Sequence, residues 1–268
     1  MAVITISRGT FSGGMMLAEC LSCRLGYRCI DRDALVERAA SQRVSQQELR
    51  AALEAPPALP GRFSHKRYIY LSLIQAALLE EVRNGRAIYH GLAGQLLLRG
   101  LPTLLRLRII APMDFRIRMA QERLKLTRSE VVAHIAKMEQ DRRKWTQFLY
   151  GVDWGDPSLY DLVVNLEHIG IEQACDMVAS AVKHSDFELT PERQAAMNDL
   201  ALASRVRAAL ASSPFTSNLE VEVEARDGAV RIRGDVAEEE EDVEQVVRAV
   251  PGVTGLTVAE PVSSSAAK

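Results

Sequence analysis

Aromatic side chains are scarce. They make up 5% of the 268 residues, and only two are tryptophans. A chain so poor in rings lacks the stacking platforms on which single-stranded nucleic acids lie. An excess of either charge is also missing: the formal net charge is -2, so nothing in the balance calls for nucleic acid or an anionic membrane as partner. No run reaches the ~18 apolar residues of a membrane span. The opening "MAVITIS" has no basic segment, so no secretory signal is expected and a cytoplasmic location is. Cysteine is sparse as well. Cys20 and Cys23 form a CxxC on an expected helix, while Cys29 and Cys175 stand apart. Zinc needs a second pair, which leaves either a redox pair or, more simply, buried thiols in a reducing compartment.

What is present is ordinary for a folded protein, with 47% hydrophobic and 25% charged residues. Strands are expected at 2–7, in "YRCID", in "RAIYHG", in "LLRLRIIAP" and in "YDLVVNLE". Between them lie helical stretches: 14–25 ended by Gly26, 33–41, one opened by a Ser45–Glu48 capping box, one closed at Gly85, "MDFRIRMAQERLKL", 128–149 capped by Thr127, and "GIEQACDMVASAVK". Alternation of this kind predicts an α/β/α domain of three layers on a mostly parallel sheet, spanning 1–185. Ligands of such folds sit at the carboxyl ends of the strands.

After Ser185 the pattern changes. Residues 186–197 read as a linker, and 198–260 as a small α+β unit of order αββαβ. Its strictly alternating "LEVEVEA" predicts a half-buried antiparallel sheet with helices on one face. Residues 261–268 read as a disordered tail.

The chemistry concentrates at "SRGTFSGGMM". A strand enters a glycine loop and the loop enters a helix, so backbone N–H groups can bind phosphate without any side chain. Gly9 to Gly14 has the Gly-x-x-x-x-Gly spacing. The lysine and hydroxyl that follow in a P-loop are replaced by Met15 and Met16. A lost charge-assisted bond is worth about 1.5–3 kcal/mol, which weakens transfer more than it weakens the cradle. The loop alone is compatible with a phosphate site and with an ordinary tight turn.

The stretches "ITISRGTFSGGMMLAECLSCRLGYRCIDRDAL" and "RIIAPMDFRIRMAQERLKLTRSEVVAHIAKMEQDRRKWTQFLYGVDWGDPSLYDLVVN" resemble the cytidylate kinase-like family of P-loop nucleoside monophosphate kinases. The resemblance implies transfer of the ATP γ-phosphoryl group to a nucleoside monophosphate such as CMP, with Mg2+. Carried over by position, it puts Arg8, Gly9, Thr10, Phe11, Ser12, Gly13, Gly14, Met15 and Met16 at the nucleotide. It puts Asp31, Arg32 and Asp33 at the acceptor, and makes Arg116, Arg142 and Arg143 the clamp on the phosphoryl groups, a task that suits planar guanidinium. Two departures stand out: family members commonly carry arginine where this chain has Met15, and again where it has Leu92. Arg8, His65, Lys66 and Arg67 are candidate substitutes, the last three read more simply as a solvated helix start.

"DGAVRIRGDVAEEEEDVEQVVRAVPGVTGLTV" resembles a BON domain, a small module of bacterial proteins associated with envelopes or ligand binding. It implies a protein or small-molecule partner and carries no catalytic constellation. The alternative function is therefore a nucleotide sensor with a degenerate P-loop, whose BON module reports to that partner.

Overall fold

The structure, a computed structural model, describes residues 1–40, 44–54, 64–91, 93–219 and 221–259. Its larger sheet has five parallel strands in the order β2-β3-β1-β4-β5, namely β1 (Val3–Arg8), β2 (Arg28–Ile30), β3 (Ala87–Tyr89), β4 (Leu104–Ile110) and β5 (Leu162–Asn165). Strand β1 is central and pairs with both β3 and β4. Residues 3–7 of β1 are buried, as a strand covered on both faces requires.

Helices α1 (Gly14–Leu25) and α8 (Ile171–Ala181) cover one face, closing a core on Ile4, Ile6, Leu107 and Val178. Helices α2 (Arg32–Ala39), α3 (Gln46–Glu54), α4 (Ser64–Val82) and the short α5 (Gly94–Leu97) cover the other, around Leu35, Leu78, Tyr89 and Trp145. Helices α6 (Met113–Leu124) and α7 (Arg128–Tyr150) form a smaller cluster over the loop after β1, through Ile117, Ala120, Val131 and Ile135. The ends of these elements follow their residues. Thr127 and Glu130 close a capping box on α7, Gly26 ends α1 at φ 66, and Ser45 caps α3 through Glu48.

The stretch expected as a linker is different in kind. Thr190 caps α9 (Pro191–Ser212), a 22-residue helix with proline in its first turn. Met197 and Ala201 are buried in the core of the larger unit. From Leu202 onward, Ala203, Val206 and Leu210 are buried in the core of the smaller one. That unit adds β6 (Glu222–Arg226), β7 (Ala229–Arg233), α10 (Glu240–Arg248) and β8 (Gly255–Ala259). Asp227 (φ 51) and Gly228 (φ 85) make the tight hairpin turn between β6 and β7. The sheet is mixed, not antiparallel throughout, because β8 runs parallel to β7 after the α10 crossover. The cysteines also differ from expectation: Cys175 is buried, while Cys23 and Cys29 are exposed. Among the described residues no helix is long and apolar enough to cross a membrane. The expected tail lies outside the described residues.

Candidate functional site

Between the ends of β1 and β3 and the paired helices α6 and α7 lies a cavity of about 670 Å3, within the ~300–1,000 Å3 range of small-molecule sites. Arg8, Thr10, Phe11, Ser12, Gly13, Gly14, Met15 and Met16 line one side, and Asp31, Arg32 and Asp33 another. Arg142 completes the set brought together from the sequence reading.

The loop after β1 is held largely by its own backbone. Gly9 N–H donates to the Ile109 carbonyl at 3.0 Å, and Ser12 N–H to the Gly9 carbonyl at 3.1 Å. The Ser12 hydroxyl is turned inward, within hydrogen-bond reach of the Gly9 and Ile109 carbonyls at 2.9 and 3.0 Å. Phe11 sits at φ 60, a left-handed conformation costly for a side chain of this size, and its ring lies 6.2 Å from that of His134. Gly13 caps α1 at φ 86 without any side-chain cap. The first bond of the helix runs from Leu17 N–H to the Gly13 carbonyl at 3.1 Å. The amides of Gly14, Met15 and Met16 therefore precede the helical ladder and carry the positive end of the helix dipole.

Arg8 lies directly over this helix start. A Cβ on Gly14 would meet Arg8 Cδ at 2.8 Å and Arg8 Cβ at 2.9 Å, so the glycine is what lets the arginine lie there. Burial, and then the charges of Arg123 and Arg32, depress the Arg8 pKa. Arg142 donates to the Arg8 carbonyl at 2.6 Å. Its pKa is pushed down to about 10, chiefly by burial and next by Arg8, with Glu139 opposing. His90 enters the cavity from the end of β3. Burial, then Arg8, lowers its pKa, with Asp31 opposing, and its Nδ1 is buried without a hydrogen-bond partner. Four arginines and four carboxylates (Asp31, Asp33, Glu122 and Asp141) line the cavity, so its formal charge is balanced. The anion-binding character is local, where Arg8 and Arg142 meet the amino end of α1.

Other residues take different places. Arg116 is 9% exposed; its Nε donates to the Thr10 carbonyl at 2.8 Å and its guanidinium pairs with Glu139. It holds the loop from behind and does not line the cavity. Arg143 is exposed on α7, also outside the cavity. Asp31 caps α2, accepting from Ala34 N–H at 2.8 Å, and Asp33 pairs with Arg50 at 3.4 Å. Leu92 and the side chains of His65, Lys66 and Arg67 lie outside the described residues. The sequence reading missed Arg123, Asp141, His90, His134 and both tryptophans, Trp145 and Trp154, all of which line the cavity. Two tryptophans in so ring-poor a chain were the available signal.

The donor set fits the anionic part of a nucleotide. The glycine loop offers magnesium no side-chain ligand. Among the described residues no three carboxylate, histidine or cysteine side chains cluster to hold a metal. The Ser12 hydroxyl is spent on carbonyls, and Met16 offers none. A divalent cation would find its ligands on the nucleotide and water, with none supplied by the loop.

The model of the cytidylate kinase-like family matches residues 3–168, and that of the BON domain matches 198–259. A cytidylate kinase of Thermococcus kodakarensis is 23% identical over 183 residues, covering 68% of this chain and 88% of that protein. A cytidylate kinase of Pyrococcus horikoshii is 23% identical over 185 residues, covering 69% and 90%. Among solved structures, an uncharacterized protein from Eubacterium ventriosum aligns with a TM-score of 0.53 at 18% identity, over 68% of this chain and 99% of that one, which establishes likeness of fold.

Proposed function

The chain belongs to the cytidylate kinase-like family through residues 3–168, and from that premise we propose that its cavity binds a nucleotide by the phosphates and transfers the ATP γ-phosphoryl group to a nucleoside monophosphate such as CMP. One observation carries the reading: Arg8, Arg32, Arg123 and Arg142 line the same cavity as the uncapped amino end of α1. In the transfer, an oxygen of the acceptor phosphate attacks the γ-phosphorus as the bond to the β–γ bridging oxygen breaks, and ADP leaves. The loop amides and Arg8 hold the donor phosphates. Arg142 neutralises charge between donor and acceptor, which is most of what phosphoryl transfer asks of a protein. Asp31, Arg32 and Asp33 face the acceptor. Arg116 acts only through the loop that it braces.

Transfer is slow in this reading, since Met15 and Met16 supply neither the charge nor the hydroxyl of a full P-loop. Rapid-quench measurement with labelled ATP and CMP tests it. Turnover well below the ~1–100 per second of ordinary kinases is expected, and turnover within that range would refute the weakness assigned to the loop.

A second reading keeps binding and drops transfer. It is favoured by α9, which places Met197 in one core and Val206 in the other and so ties the nucleotide unit through one helix to a BON module placed to report occupancy to a partner. Saturable nucleotide binding with no transfer to any monophosphate would select it.

A further inference from the structure

Arg142 is a half-buried cation without a carboxylate partner among the described residues. Its side chain forms no ion pair there, and Glu139, the acid on α7 whose charge acts on it, is engaged by Arg116. What holds Arg142 is the Arg8 carbonyl at 2.6 Å and the ring of Trp154, whose centroid lies 4.7 Å from the Arg142 Cζ. Arg108 stands over the same ring, its Cζ at 4.4 Å. The indole itself cannot drift. Its Nε1–H donates to the Ser7 hydroxyl at 2.8 Å, and its backbone carbonyl accepts from Arg108 at 2.5 Å and from the Tyr160 hydroxyl at 2.9 Å. Trp154 is 3% exposed and is thus anchored to β1, β4 and the segment before β5.

We propose that Trp154 is a positioning residue that holds the Arg142 guanidinium flat at the cavity wall, leaving its unused N–H groups for a phosphoryl oxygen. The choice of an aromatic partner has a chemical reason. A carboxylate would orient the guanidinium but also neutralise it and repel the incoming phosphate. A π face attracts the cation and leaves its charge and donors available. Arg108 shares the ring and fixes the backbone of Trp154, so the stack is built from the sheet outward. The inference rests on the nucleotide reading of the cavity for its ligand, but not for the stack itself.

Two measurements on the full chain separate these. The first needs no ligand: ring current from Trp154 should displace the Arg142 side-chain proton resonances upfield. The displacement should vanish in Trp154→Leu and persist in part in Trp154→Phe. The second is calorimetric titration with ADP. Trp154→Leu should weaken binding about two- to thirtyfold, the range from exposed to desolvated cation–π contacts. Trp154→Phe should restore most of it, although it too lacks the N–H that bonds Ser7. Combining Trp154→Leu with Arg142→Ala should cost no more than Arg142→Ala alone. Should Trp154→Leu fail to fold, Arg142→Lys, which keeps the charge and loses the plane, is expected to weaken ADP binding over the same range. An absent displacement overturns the stack. Additive losses, or unchanged affinity in Trp154→Leu or Arg142→Lys, overturn the positioning role. If the native chain shows the displacement but binds no ADP, the nucleotide reading falls and takes the role with it, a result distinct from the others.

Discussion

Met197→Ala tests whether the helix joining the two units belongs to the core beneath the cavity. Met197 is fully buried, and it packs in the cluster that contains Leu78, Tyr89 and Trp145. Beside it, Gln194 donates to the Arg83 carbonyl at 2.8 Å and Thr103 reaches the Met197 sulfur at 3.6 Å; further along α9, Arg207 donates to Gln75 at 3.1 Å. Truncating a buried methionine to alanine costs about 2–5 kcal/mol. With a urea m-value near the upper end of the usual range, about 3 kcal/mol per molar for a unit of this size, the unfolding midpoint should fall by roughly 0.7–1.7 M. Tryptophan fluorescence is the natural probe, because Trp145 and Trp154 are the chain's two tryptophans and both lie in the larger unit. Removing everything from Glu188 onward takes away the whole of α9 and should destabilise that unit further, to aggregation or to a still lower midpoint. A midpoint unmoved by Met197→Ala, together with a fragment 1–187 as stable as the full chain, would refute this packing and restore 186–197 to a mere tether.

Gly13→Ala forces a side chain onto φ 86 and brings its Cβ to 2.9 Å from the Leu166 Cδ1. A loss of about 2–3 kcal/mol in urea unfolding is expected from left-handed strain and crowding together, and a loss under ~1 kcal/mol would mean that the loop yields easily. Met15→Lys with Met16→Ser, read by initial rates with ATP and CMP, should raise transfer about tenfold or more; no gain would place the rate-limiting deficit elsewhere in the site. His90 carries a pH signature. Its folded pKa lies below the ordinary 6.5, so the unfolded chain takes up a proton that the folded chain refuses, and stability falls as pH drops from 6.5 toward the lower folded value. His90→Gln should flatten that part of a stability-versus-pH curve, and an unchanged slope would assign it to other groups.

Most of the fold could be read from the sequence because local signals agreed with one another. The apolar run of β1, the caps at Thr127 and Gly26, and the Asp227-Gly228 turn each point to the element that forms there, whereas Asp31, read as the end of a strand, caps α2. The start of α9 was equally legible, since Thr190 followed by Pro191 is a helix-opening pair. It reads as a boundary only because its stripe changes partner halfway, from Met197 and Ala201 in one core to Val206 and Leu210 in the other. The parallel course of β8 depends on where the α10 crossover lands it, which strand alternation does not encode. In the site, Arg116 and Arg142 look alike along the chain. Only packing separates the arginine spent on Thr10 and Glu139 from the one left beside the cavity. Ser12 likewise reads as a phosphate ligand until its hydroxyl is found on two carbonyls.

Calorimetric titration of the native chain with ATP and with CMP, repeated on Arg142→Ala and Arg8→Ala, bears most directly on the nucleotide cavity. Saturable binding in the native protein is expected, weakened about tenfold or more by each substitution, as loss of a charge-assisted phosphate contact requires. No saturable binding of either nucleotide at millimolar concentration, or binding indifferent to both arginines, would contradict it.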